Sequence, residues 1–135
     1  IIMQTTAILT LCRRIDNLDR IIESISNQTY KCEQIVIAQT DQAARECHKR
    51  KIDFIRGETG QCADRFNWAK SHQNTDAFLF IDDDMVINQD YIETQLKHLK
   101  VDSAVSWWGW NIEPPKKKYF KRTQPPVGET VEYGG

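Results

Sequence analysis

The chain has 135 residues, 40% of them hydrophobic, which is enough for one compact domain with a real core and too little for two. Lys and Arg number 18 against 19 Asp and Glu, a formal net charge of -1, so no global field recruits nucleic acid or an anionic membrane and any anionic ligand has to be held locally. The longest apolar runs, such as residues 78–81, fall far short of the roughly 20 residues of a membrane span, and the amino terminus lacks a signal-peptide pattern, so the expectation is a soluble, cytoplasmic protein.

Residues 5–11 are β-branched and apolar before Cys12, Arg13 and Arg14 break the run, which predicts a buried strand ending in a polar loop. Leu18, Ile21, Ile22 and Ile25 then recur at helical spacing, with Asp16 or Asn17 placed to cap a helix that ends near Asn27. A second buried strand is expected at 33–38, a turn at 39–41, and a polar helix reaching about Lys51. Residues 52–55 read as a short third strand. Beyond Gly57 and Gly60, the stripe Cys62, Phe66 and Ala69 suggests a third helix to about residue 73, from which Trp68 departs.

Phe78, Leu79, Phe80 and Ile81 form a fully apolar strand that runs straight into Asp82, Asp83 and Asp84. Asn88 is placed to cap a helix carrying Ile92, Leu96 and Leu99, and residues 104–108 read as a fifth strand. Pro114, Pro115, Pro125 and Pro126 bracket a lysine-rich stretch that reads as a loop, its Lys116, Lys117, Lys118, Lys121 and Arg122 a solvated charge run. Strands alternating with helices predict an α/β fold, a mostly parallel twisted sheet with helices on both faces and a single domain over 1–135. In such sheets ligands lie beyond the carboxyl ends of the strands, which directs attention to residues 10–14, 39–41 and 82–84.

Three adjacent carboxylates repel one another unless they meet bulk water or a cation. Oxygen ligands at alternating positions suit Mg²⁺ or Mn²⁺, which bind one or two carboxylates and complete their shell with water and substrate phosphate; Asp82 and Asp84 are the alternating pair. The plainer alternative is that these acids cap the next segment or face water at a strand end. An EF-hand is excluded, because the run from Asp82 has no glycine at its sixth position. Cys12, Cys32, Cys47 and Cys62 contain no CxxC pair and read as free thiols.

Four features together resemble glycosyltransferase family 2, of the Rossmann-like GT-A fold: the threonine-containing loop at 10–14, the helix end with Ser24, Gln28, Thr29 and Tyr30, Asn67 before the acidic motif, and the strand FLFIDDDMVI with its DxD. The resemblance covers nearly the whole chain. It implies a metal-dependent inverting glycosyltransferase of hexosyltransferase type, moving a sugar from a nucleotide-diphosphate donor such as a UDP-sugar to the hydroxyl of a carbohydrate or glycoconjugate acceptor, with Mn²⁺ or Mg²⁺ as cofactor. Carried over residue by residue, it makes Asp84 the metal ligand, with Asp82 on the metal or ribose and Asp83 beside them. Thr10 and Cys12 line the base, with Arg13 in the same loop, and Gln61 or Arg65 assists the donor. The family places acids directly after the second strand to hold the base, whereas Gln39 and Thr40 stand here and Asp41 follows.

Trp108 and Trp110 fall on one face of the fifth strand and Trp107 on the other, which makes the first two candidates for acceptor contact and core packing the alternative. The general base of the family lies well downstream of DxD, so the chain is expected to be the donor-binding half, truncated before it. Glu129 and Glu132 are the only late acids, and read as a solvated tail. Two other functions remain: an inactive nucleotide-sugar-binding module, and a sugar nucleotidyltransferase, which would carry a glycine-rich loop where LTLCRRIDN has no glycine.

Overall fold

The computed structural model describes residues 3–60, 62–72, 74–100, 104–105, 111–113, 121–123 and 130–131. The chain divides into two compact units, Ile1–Gln89 and Asp90–Gly135.

The first unit is built on a four-stranded parallel sheet. In chain order it contains β1 (Thr5–Leu11), α1 (Leu18–Ser26), β2 (Glu33–Ala38), α2 (Asp41–Lys49), β3 (Ile55–Arg56), α3 (Ala63–Ser71) and β4 (Ala77–Asp82). The strand order is β3-β2-β1-β4. The chain therefore steps outward from β1 to β3 and then returns to lay β4 on the other side of β1. Because parallel crossovers are right-handed as a rule, this order implies α1 and α2 on one face and α3 on the opposite one, in keeping with helices on both faces.

β1 pairs on both sides and all seven of its residues are buried. This is why a run mixing three threonines with apolar residues is stable there: the ladders satisfy its backbone, and the side chains fill the core with Ile37, Ile81 and the α1 stripe Leu18, Ile21 and Ile25. β4 is the end strand of this sheet among the described residues, and Phe78, Leu79 and Phe80 are accordingly only half-buried, less than their fully apolar run suggests. The third strand falls at Ile55–Arg56 instead of 52–55, and only two register pairs hold it to β2.

The predicted stripe on α3 is not its buried face. Cys62 and Phe66 are exposed, while Asp64 is buried and Trp68 half-buried. Asp64 faces inward because its carboxylate accepts the Thr59 backbone N–H at 3.2 and 3.3 Å, tying down the loop before the helix. Burial pushes its pKa up, but the hydrogen bonds from Thr59, the neighbouring Gln39 amide and the Gly60 backbone outweigh this and hold it below the ordinary value of an aspartate. The loop turns at Gly60, whose φ of 69° suits glycine. At Gly57 a Cβ would lie 2.5 Å from Gln39 Oε1 and 2.7 Å from Asp64 Oδ2, so only glycine lets the chain pass this close.

The helix-end motif around Gln28 anchors the segment that follows the aspartates. The buried Gln28 amide donates to the Ser24 carbonyl at 2.9 Å and to the Asn88 carbonyl at 2.6 Å. Thr29 N–H donates to the Gln89 carbonyl at 2.8 Å, and Ser24 Oγ accepts the Ile87 N–H at 3.4 Å. Tyr30 Oη donates to the Met3 carbonyl at 2.7 Å, closing the same motif onto the segment leading into β1.

The second unit contains α4 (Tyr91–His98), β5 (Ala104–Val105), β6 (Asn111–Glu113), β7 (Lys121–Thr123) and β8 (Thr130–Val131). The expected cap Asn88 is replaced by Asp90 as the residue preceding α4. Of the fifth strand expected over 104–108, residues 106–108 lie outside the described residues, and the described part, β5, pairs antiparallel with β8 and not with the parallel sheet, while β6 pairs antiparallel with β7. Lys121 and Arg122, read as loop, therefore lie on a strand. Such short, polar segments carry neither an apolar run nor clean alternation, so nothing in their pattern announces a strand. Trp107, Trp108, Trp110, Lys116, Lys117, Lys118, Glu129, Glu132 and the four prolines lie outside the described residues, as does Gln61. Among the described residues no helix is long and apolar enough to cross a membrane.

Candidate active site

The reversal of strand order falls between β1 and β4, so the crevice expected of an open α/β sheet lies at their carboxyl ends. The register puts Thr10 opposite Asp82 there. A cleft of about 450 Å³ opens at this point, within the size range of small-ligand sites. Its walls are Thr10, Cys12, Arg13 and Arg14 from β1 and the loop after it, Cys62 before α3, and Asp82, Asp83 and Asp84.

The three aspartates have different surroundings. Asp83 turns toward the loop after β1, where its Oδ2 accepts the backbone N–H groups of Cys12, Arg13 and Arg14 at 3.1, 3.1 and 3.2 Å. Three successive amides converging on one point form an anion nest, and here the anion is a side chain of the same molecule. The loop after β1 is fixed further by Thr40, whose hydroxyl donates to the Cys12 carbonyl at 2.7 Å while accepting the Ala43 N–H at 3.1 Å as the N-cap of α2.

Asp82 lies on the same face of β4 as Phe78 and Phe80, because side chains alternate along a strand. That face meets α3: the Phe66 ring is 4.8 Å from Phe80, and Trp68 is 6.1 Å from Phe78. Arg65, one residue before Phe66, reaches Asp82 Oδ1 through Nη1 at 2.8 Å. Its guanidinium rests 5.0 Å from the Phe66 centroid and 5.4 Å from that of Phe80, and Nε is buried with no partner. Asp84, half-exposed, pairs with Arg14. Arg14 entered the sequence reading as part of the loop at 10–14, without a role of its own. Its role depends on a partner 70 residues away, which no local pattern encodes.

Thr10 lines the cleft but is 2% exposed, and its buried Oγ1 has no hydrogen-bond partner. Cys12 is held as a neutral thiol: burial pushes its pKa up, and the Asp83 charge adds to this. All four cysteines are free.

Two candidates from the second strand's end are not brought to the cleft. Gln39 is 4% exposed and packs beside Gly57 and Asp64, away from the residues that line the cleft. Asp41 is exposed on the first turn of α2 and pairs with Arg56 Nη2 at 2.9 Å.

Asp82 and Asp84 together offer the hard oxygen ligands that Mg²⁺ or Mn²⁺ take from a protein, with room in the cleft for phosphate oxygens to complete the shell. Among the described residues no group of three or more His, Cys, Asp or Glu side chains forms a metal cage. Two carboxylates do not enclose an ion, so a cation held by Asp82 and Asp84 would need water or substrate oxygens for the rest of its shell.

No curated protein matches the sequence closely. Residues 6–132 match the family model for glycosyl transferase family 2, spanning the sheet, the cleft and most of the second unit. With the parallel α/β sheet and the acidic turn at the end of β4 in place, the chain belongs to glycosyl transferase family 2.

Proposed function

We propose that the cleft between β1 and β4 binds a nucleotide-diphosphate sugar, a UDP-sugar in the first instance, together with Mn²⁺ or Mg²⁺. The sugar passes with inversion to the hydroxyl of a carbohydrate or glycoconjugate acceptor, a hexosyl transfer. The observation that carries this reading is the division of labour among the aspartates: Asp83 is spent on the Cys12–Arg14 amides, which leaves Asp82 and Asp84 at the cleft mouth. A bound cation would supply Lewis-acid stabilisation of the departing diphosphate, roughly several kcal/mol.

The chain's own residues do the rest. Thr10 and the neutral Cys12 thiol line the wall nearest the sheet, where a flat base can lie. Arg13 and Arg14 bring positive charge to the diphosphate from a loop whose backbone is already fixed, so little ordering remains to be done on binding. Arg65 holds Asp82 in one rotamer from the opposite wall. Gln39 and Asp41 act behind the site: Gln39 packs under the loop at Gly57, and Asp41 ties α2 to β3. Acceptor contact by Trp108 and Trp110, and donor contact by Gln61, are part of the same proposal.

The test is incubation of the chain with Mn²⁺ and a panel of nucleotide sugars, with free nucleoside diphosphate as the readout. The expected result is slow hydrolysis of one donor that stops when EDTA removes the metal. Tight binding of a donor with no turnover would favour the inactive binding module, and release of a nucleoside monophosphate would favour a different bond cleavage.

A further inference from the structure

The two arginines that meet the aspartates are built differently. Arg65 has a side chain 18% exposed, clamped by two aromatic rings, and moving it would forfeit those contacts. Arg14 has a side chain 61% exposed and touches Asp84, itself 50% exposed, at the open mouth of the cleft. Its backbone, in contrast, is pinned by Asp83. Arg14 is thus a charged arm on a fixed pivot, in an ion pair that water reaches freely and that costs little to break.

Charge balance gives the arm a task. The cleft is lined by three carboxylates and two arginines, and Arg65 on Asp82 makes the charges equal. A site balanced in this way offers a lone divalent cation little attraction, because binding it would strand Arg14 beside a new positive charge. A cation arriving with a diphosphate changes this. The diphosphate brings oxygens for the metal and a bidentate partner for the guanidinium, so Asp84 and Arg14 both exchange one partner for another.

We propose that Arg14 is an exchangeable counter-ion for Asp84: it occupies the carboxylate while the cleft is empty and passes to the diphosphate when cation and nucleotide enter, so that neither binds well without the other. This positioning role rests on the metal-dependent donor reading above. It predicts coupled binding, in which each ligand raises the affinity for the other by the same factor.

The experiment is a Mn²⁺ titration followed by the paramagnetic resonance signal of the free ion. It is run without nucleotide and with each of UDP, GDP, CDP and inorganic diphosphate, on the wild-type chain, Arg14→Gln and Arg14→Lys. The wild type should bind Mn²⁺ at least about 10-fold more tightly with the best diphosphate present. Arg14→Gln should bind Mn²⁺ alone about 3- to 5-fold more tightly than the wild type, the worth of an exposed ion pair, and should lose most of the coupling. Arg14→Lys should restore part of it. If Arg14→Gln leaves nucleotide-free Mn²⁺ binding and the coupling unchanged, the counter-ion role is wrong while the donor site stands. If the wild type takes up no Mn²⁺ with any of the four diphosphates, the metal-dependent reading itself fails and this role goes with it.

Discussion

Asp84→Ala is expected to weaken Mn²⁺-supported binding of a nucleoside diphosphate by about 100-fold or more, measured by calorimetry at fixed metal, because it removes the carboxylate best placed to hold the cation. The fold should survive. Asp84 sits on the turn after β4, half-exposed, and its pairing with Arg14 is a surface contact worth at most about 1 kcal/mol. A second arm separates loss of metal from general damage. In EDTA the variant should hold the diphosphate at least as well as the wild type, since Arg14 loses its competing carboxylate and the cleft gains net positive charge. Equal weakening with and without metal would mean that Asp84 serves the architecture of the cleft and not a cation.

Asp83→Ala is expected to do the opposite, damaging the fold first. Its Oδ2 is the common acceptor of three backbone N–H groups, and the Cys12 amide is partly buried. Water can replace the bonds to the exposed Arg13 and Arg14 amides but serves Cys12 poorly, so the loss should be about 2–4 kcal/mol. For a chain of this size that corresponds to a fall in melting temperature of roughly 8–15 °C. Donor affinity should fall with and without metal alike, since the loop carrying Cys12, Arg13 and Arg14 is no longer held. Asp83→Asn, which keeps an acceptor but not the charge, should fall between. An unchanged melting temperature for Asp83→Ala would show that the nest is not what fixes this loop.

Much of the first unit was legible in the sequence because its signals are local. The strands at 5–11 and 33–38 are unbroken β-branched or apolar runs, and the α1 stripe Leu18, Ile21 and Ile25 repeats at helical spacing. The acidic turn was equally plain, because three carboxylates after an apolar strand have few physical explanations. What hydropathy could not convey were interactions between distant residues. Asp64 is buried for the sake of loop amides, which reverses the apparent inner face of α3. Gln39 follows the second strand where a base-binding residue was expected, yet its side chain turns back under Gly57. The aspartates look alike in sequence, and only the fold assigns Asp83 to a backbone nest and its neighbours to arginines from opposite walls. In the second unit the strands are two or three residues long and pair antiparallel, too short for periodicity to register.

The most direct measurement is the anomalous scattering of manganese in crystals grown with Mn²⁺ and the best-binding nucleoside diphosphate. One manganese peak should lie between the Asp84 carboxylate and the diphosphate, with Arg14 turned away from Asp84. A nucleotide seated against Thr10 and Cys12 with no manganese at Asp82 or Asp84 would contradict a metal-dependent transferase site at the end of β4.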